Sequence, residues 1–316
     1  MPRTPKRSSA AQTISLKLPA TSANLGPAFD AAAVALKMPL YIRARRAADF
    51  SIDAQGRDQN ICERLEGNLI LDTYRSILAA EGRRVIPLAL QLKNEIPIGK
   101  GLGSSAAARL AGIALANHFG NLRWQDAAIL AAATRLEGHG DNAAACWNGG
   151  LNVIVKNLGD GSDYLVASQL NVRAKWKLIA AIAPAPLPTE KARRMLPESY
   201  SRADAVANVQ HAMLLAHAFA SGNPQLLREA LHDRFHEPYR ASLCPLLEPL
   251  RALAGKSGIA GAVLSGAGPS VLVILDPRAP VAPATRTIDA ALRSNGLNAE
   301  LVVTGIEARG ARESCR

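Results

Sequence analysis

Residues 97–108 read Pro-Ile-Gly-Lys-Gly-Leu-Gly-Ser-Ser-Ala-Ala-Ala, and this run decides the fold. Its glycines, Gly99, Gly101 and Gly103, permit backbone conformations and close approaches that side chains forbid. An alanine-rich helical segment, ARLAGIALANHF, follows at once. The first amides of such a helix have no intrahelical partners, and its dipole is positive at that end. Loop and helix together therefore make an anion cradle suited to a polyphosphate. Ser104 and Ser105 stand at the helix start, where a hydroxyl can cap amides or reach a metal ion. The Walker loop is excluded, because Lys100 lies between glycines rather than after the last of them.

Working outward, residues 85–93 read as a strand and 68–81 as a helix. Residues 33–45 read as a strand broken by Pro39, and 14–18 as an edge or half-buried strand leading into a loop from Pro19 to Asp30. Downstream, a helix is expected at 124–136, a Gly- and Asn-rich loop from Glu137 to Gly150, and a strand at 151–156. Asn157 to Asp163 is the strongest turn signal, and a domain boundary is expected near it. The second half predicts strands at 177–183, 261–265, 270–275 and 298–304. Helices are expected around 203–220, 223–235, 246–255 and 283–295. With the helical region taken as one crossover, this is βαββαβ, the ferredoxin-like pattern.

Composition agrees with two ordinary domains: 316 residues, of which 48% are hydrophobic and only 4% aromatic. Abundant alanine favours closely packed helices on a sheet. No apolar run is long enough for a transmembrane helix. The basic start, MPRTPKRSSAAQ, lacks an apolar core, so residues 1–12 are expected to be a disordered leader and not a secretory signal. Cys62, Cys146, Cys244 and Cys315 form no CxxC pair, which argues against a zinc site or disulfide framework and for a cytoplasmic setting. The net charge is +11, but the basic residues are scattered and have no interleaved aromatics. Anionic small substrates are therefore expected in place of nucleic acid or membrane.

PxxxGLGSSAA is the signature of the GHMP kinases, and residues 97–107 resemble it at every fixed position. Two further segments agree. Residues 19–30, Pro-Ala-Thr-Ser-Ala-Asn-Leu-Gly-Pro-Ala-Phe-Asp, resemble PATSANLGPGFD, the first motif of the homoserine kinase branch. Residues 264–270, Leu-Ser-Gly-Ala-Gly-Pro-Ser, resemble LSGAGPT, its third motif. The resemblance implies an α+β, two-domain GHMP kinase fold. Residues 13–160 would form a ribosomal-protein-S5-domain-2-like ATP-binding domain, and residues 161–316 a ferredoxin-like βαββαβ domain.

It also implies ATP and Mg²⁺ as cofactors. The nucleotide would lie along Pro97, Gly99, Lys100, Gly101, Leu102, Gly103, Ser104 and Ser105, with Lys93 near the phosphates and Asn68 at the purine. By position, Ser104 and Glu137 look like the metal ligands. Asp141-Asn142 resembles the Asp-Asn of the family's HPDN segment. Asn142 would orient the substrate hydroxyl, Asp141 would serve as a base or as a structural cap, and His139 would stabilise the loop.

Residues 189–197, Thr-Glu-Lys-Ala-Arg-Arg-Met-Leu-Pro, resemble TxxARxxLP, and 236–240, His-Glu-Pro-Tyr-Arg, resemble HxPYR. Thr189, Arg193 and Arg240 then fall on positions that contact an amino-acid substrate, L-homoserine. A guanidinium fork suits its carboxylate. Asn24 and Asp30 would meet the amino end, with Ser265 and Gly266 beside them. The implied reaction is a step of threonine biosynthesis. Ala28, Ala32 and Ala33 depart from the family's GFDxLGxAL and are expected to reshape the pocket floor. Another small amino alcohol such as L-threonine, or a non-catalytic binding role, is the alternative, and a homodimer is left open.

Overall fold

The computed structural model describes residues 13–156 and 165–315. The leader and the 157–163 turn with its domain boundary lie outside the described residues. Two sheets organise the rest. The first contains β1 (Thr13–Ala23), β2 (Ala32–Arg46), β3 (Ser51–Gly56), β4 (Leu88–Asn94), β5 (Leu151–Lys156) and β6 (Leu165–Leu170). Its order is β3-β4-β2-β5-β6, with β1 also paired to β2. Only β3 and β4 run parallel. Between β3 and β4 come α1 (Gln59–Cys62) and α2 (Leu69–Ala80). Between β4 and β5 come α3 (Ser104–Gly120), α4 (Asp126–Glu137) and α5 (Asp141–Asn148).

The second sheet contains β7 (Lys177–Ile182), β8 (Ile259–Leu264), β9 (Val271–Leu275) and β10 (Glu300–Gly305). Its order is β10-β7-β9-β8, antiparallel throughout, as a ferredoxin-like βαββαβ unit requires. The crossover from β7 to β8 holds α6 (Thr189–Arg193), α7 (Arg202–Ser221), α8 (Pro224–Ala230), α9 (Glu237–Arg240) and α10 (Leu247–Arg251). The crossover from β9 to β10 is α11 (Val281–Ser294).

Small residues set the packing of α3. A Cβ at Gly112 would meet the Ile70 carbonyl and the Thr73 side chain at 2.6 Å, so α2 and α3 approach more closely than larger residues permit. Ala107, Ala111, Ala114 and Leu115 are buried on the same helix. Asn68 caps α2, accepting the amides of Ile70 and Leu71.

Several expected boundaries moved, each for a local reason. Pro19 does not end the first strand and Pro39 does not break the second. The two prolines sit opposite each other at the register shift between β1 and β2, where the ladder is interrupted anyway. The strands β3 and β6 went unread because β3 buries only Ala54 and β6 fully buries no side chain, so neither shows clear alternation. The helix expected at 223–235 stops at Ala230. Asp233 accepts the amides of Phe235, His236 and Glu237, which starts α9 instead.

Candidate active site

The glycine loop is pressed between three elements. Gly103 has φ +72, and a Cβ there would overlap the Thr21 hydroxyl of β1. Gly101 has φ +78, and a Cβ there would sit 2.5 Å from the Gly268 carbonyl, in the loop after β8. That loop also reaches back: the Ser265 hydroxyl donates to the Gly101 carbonyl at 2.7 Å. The Thr21 amide donates to the Leu102 carbonyl at 3.1 Å, and its hydroxyl to Asn142 Oδ1 at 2.6 Å. Thr21 thus ties the glycine loop to the start of α5.

On the motif alone, Gly103→Val is expected to weaken nucleotide binding without unfolding the chain. The overlap with Thr21 corrects this, because the φ and the clash both act in the folded state. We expect Gly103→Val to cost about 3 kcal/mol or more of stability, read as a lowered thermal midpoint before any ligand is added. An unchanged midpoint would refute it.

The helix start and loop line a cleft of about 240 Å³. It gathers Asn24, Asp30, Gly99, Gly101, Gly103, Ser104, Ser105, Glu137, Asp141, Asn142, Thr189, Arg193, Arg240 and Gly266. An adjoining cavity of about 370 Å³ shares Gly99, Ser104 and Ser105. Its wall is apolar, including Leu40, Ile61, Leu69, Ile70, Leu92 and Ile96. Asn68 lines it, but its amide is already spent on the α2 cap and on the Cys62 carbonyl.

On the acidic wall, Glu137 closes α4 and Gly138 turns the chain with φ +81. The Ser105 hydroxyl donates to Glu137 Oε1 at 2.6 Å, while the Ser104 hydroxyl faces the Gly99 amide at 3.4 Å. The serine that touches Glu137 is therefore Ser105. Arg109 Nε lies 2.5 Å from the same Oε1. His139 Nδ1 is 3.0 Å from Asp141 Oδ1, which also accepts the Asn142 amide at 2.7 Å. Burial disfavours the charged imidazole of His139, but the hydrogen bond and charge of Asp141 outweigh it and the pKa is raised. Asn142 keeps its carbonyl on Thr21.

On the basic wall, Arg193 grips Asp30 with both terminal nitrogens, at 2.8 and 3.2 Å. Arg240 is 1% exposed. It donates to the Ala192 carbonyl and to His236 Nδ1, both at 3.2 Å, and lies over the Phe29 ring. Among the described residues no carboxylate pairs with it. Burial, and after it Arg193, lowers its pKa. His236 is pushed down to about 4 by burial, so it stays neutral and can accept from Arg240 while its Nε2 meets the Gly26 carbonyl at 2.9 Å. Thr189 opens α6 at the rim.

The buried Glu237 at the head of α9 accepts the Leu264 amide and Arg251 Nη2, both at 2.6 Å. Burial pushes its carboxyl up to about 7 against the opposing pull of Arg251 and that amide. A folded-state acid above its unfolded value near 4.5 stabilises the fold fully below that value and loses the contribution as pH rises through 7. We expect Glu237→Gln to remove about 3 kcal/mol of pH-dependent stability between pH 5 and 8. Denaturant melts at both pH values check it, and equal losses in parent and variant would refute it.

Four expected contacts are not made as anticipated. Lys93 stands on the face of β4 opposite Leu92 and Asn94, which line the apolar cavity; it is 61% exposed and pairs with Glu95. Lys100 turns its amine to the Pro184 carbonyl, away from the cleft. Asn24 spends its side chain on the Gly266 carbonyl and the Asp30 amide, fastening the two motif loops together. Ser265 is wholly buried and serves Gly101. The substituted pocket floor also lies elsewhere. Ala28 and Ala32 face a separate apolar cavity beside Met213 and Phe219 of α7, and Ala33 packs with Ala23 and Ala145. Thr21, Phe29 and Arg109 were not singled out in advance. The first two lie inside the 19–30 motif, whereas nothing in the sequence around Arg109 marks it.

Fold and cleft together define a small-molecule kinase of the GHMP class. The GHMP kinases N terminal domain family matches residues 68–150, and the GHMP kinases C terminal family matches residues 215–297. The chain belongs to the homoserine kinase family within that class. A homoserine kinase of Solibacter usitatus is 44% identical over 261 residues, covering 83% of this chain and 84% of that one. One from Synechocystis is 34% identical over 95% of this chain and 97% of its own. The crystal structure of homoserine kinase from Cytophaga hutchinsonii superposes with a TM-score of 0.78 at 22% identity, covering 97% of this chain and 99% of that one. Among the described residues no helix is long and apolar enough to cross a membrane.

Proposed function

We propose that this chain transfers the γ-phosphoryl group of ATP to the side-chain hydroxyl of L-homoserine. The observation that carries the reading is Arg240, a buried cation that pairs with no carboxylate among the described residues, beside the Arg193–Asp30 pair and across the cleft from the glycine loop. A zwitterionic substrate supplies what this wall lacks: its carboxylate goes to Arg240 and Arg193, and its ammonium to Asp30. The apolar cavity suits the adenine, and the start of α3 suits the phosphates. The oxygen donors of Glu137, Ser105 and Ser104 fit Mg²⁺, which they would hold and which, when bound, neutralises phosphate charge.

Asn142 Nδ2 steers the acceptor hydroxyl. The substrate oxygen bonds to the γ-phosphorus as the bond to the bridging oxygen breaks and its electron pair leaves with ADP. The hydroxyl proton passes to a phosphoryl oxygen and on to water. Asp141 serves in this scheme to hold the start of α5, its Oδ1 accepting the Asn142 amide and pairing with His139. Phosphoryl transfer asks for positioning and charge neutralisation more than for a base.

The test is an ADP-release assay with homoserine, threonine, serine and mevalonate. Homoserine is expected to show the highest kcat/KM, at least tenfold above threonine. No turnover with homoserine, or an equal rate with mevalonate, would overturn the assignment.

A further inference from the structure

Arg109 lies one turn beyond Ser105 on α3, so the two side chains share a face. Both reach Glu137 Oε1. The Ser105 contact is a directed hydrogen bond. The Arg109 contact is only an ion pair, because Nε remains a buried donor without a hydrogen-bond partner. The side chain is 26% exposed and lines the cleft. Among the described residues this guanidinium has no other hydrogen-bond or ion-pair partner, and the residue lines the cleft. Arg193 and Arg240 lie by Phe29 on the acceptor side. With Lys100 turned to Pro184, Arg109 is the cation on the glycine-loop side of the cleft among the described residues lining it.

We infer that Arg109 is a further catalytic residue, which donates its terminal N–H groups to the γ-phosphoryl oxygens during transfer. This rests on the reading of the chain as an ATP-dependent kinase. Negative charge spreads over the three equatorial oxygens of the transferred group, and a planar guanidinium presents several donors to such an array. Glu137 compensates the arginine charge before nucleotide arrives and holds the side chain against the helix, so the donors are set in advance. Arg109 is neither consumed nor deprotonated in the step.

A group that touches only the γ-phosphoryl must distinguish ATP from ADP, whereas a mere support for Glu137 or α3 need not. The experiment is calorimetric binding of Mg-ADP and of a non-hydrolysable Mg-ATP analogue to the parent, Arg109→Ala and Arg109→Lys, with kcat measured alongside. In Arg109→Ala the triphosphate Kd is expected to rise at least tenfold and the ADP Kd to change less than twofold. Turnover should fall on the order of a hundredfold. Arg109→Lys, which keeps the charge and guards against a folding defect, should recover part of both losses. Equal weakening of ADP and triphosphate, or no weakening of either, would overturn the inference. If homoserine proves not to be the acceptor while triphosphate discrimination still collapses, the acceptor assignment falls and the role of Arg109 stands.

Discussion

Glu137→Gln should lower kcat by about 10²- to 10³-fold while the protein remains folded, a barrier increase of roughly 3–4 kcal/mol. The substitution keeps the volume of the side chain and one acceptor for Ser105. It removes the negative charge that a metal ion and Arg109 both require, on a carboxylate already held at 2.6 Å by Ser105 and 2.5 Å by Arg109. Ser104→Ala separates the two serines, because its hydroxyl faces Gly99 and not Glu137. The Ser104 variant should therefore lose less than a Ser105→Ala variant. Steady-state rates at saturating Mg²⁺ decide the matter, and near-parental kcat in Glu137→Gln would remove Glu137 from the chemistry.

Arg240→Met should abolish most homoserine recognition. A buried guanidinium without a carboxylate partner among the described residues is costly to the free protein, and a substrate carboxylate bound there would offset that cost. The methionine fills similar space without charge. At a homoserine concentration of about one hundred times the parental Kd, the parent should gain about 2.7 kcal/mol of stability. The variant should gain less than about 1 kcal/mol under the same conditions, with its homoserine KM raised on the order of a hundredfold and its ATP KM little changed. Arg193→Ala should cost less. Arg193 is half-exposed and already matched by Asp30, so its loss frees a solvated carboxylate without stripping a buried cation of its partner. A homoserine-induced shift in Arg240→Met equal to that of the parent would refute the assignment.

The glycine run announced both its loop and its helix, because glycine spacing and helix polarity are local properties. The ferredoxin-like half was legible for a similar reason: β8 and β9 are buried throughout, so their apolar runs are unambiguous. The distance of Lys93 from Pro97 suggests the phosphates, whereas the alternation of β4 puts it on the face opposite Leu92 and Asn94. Asn24 and Ser265 stand in recognisable motifs yet serve as fasteners, since a motif does not reveal whether a polar group meets substrate or backbone. Gly103 was read through its nucleotide, while its tightest neighbour is Thr21, a partner more than eighty positions upstream that only the tertiary fold supplies. Arg109 carries no local mark at all; its significance comes from the convergence of α3 and α4 on one carboxylate.

The contact between Gly101 and the 265–268 loop bears on how genes for such enzymes can be recombined. The Ser265 hydroxyl is bonded to the Gly101 carbonyl, and no Cβ fits at Gly101 beneath the Gly268 carbonyl. The glycine loop is thus moulded partly by the opposite half of the chain. A chimera that joins this N-terminal half to a foreign C-terminal half inherits a loop whose backing has changed, even when every residue of its own signature is intact. Crossovers that carry segments 97–104 and 264–270 together should preserve nucleotide binding far more often than crossovers that part them.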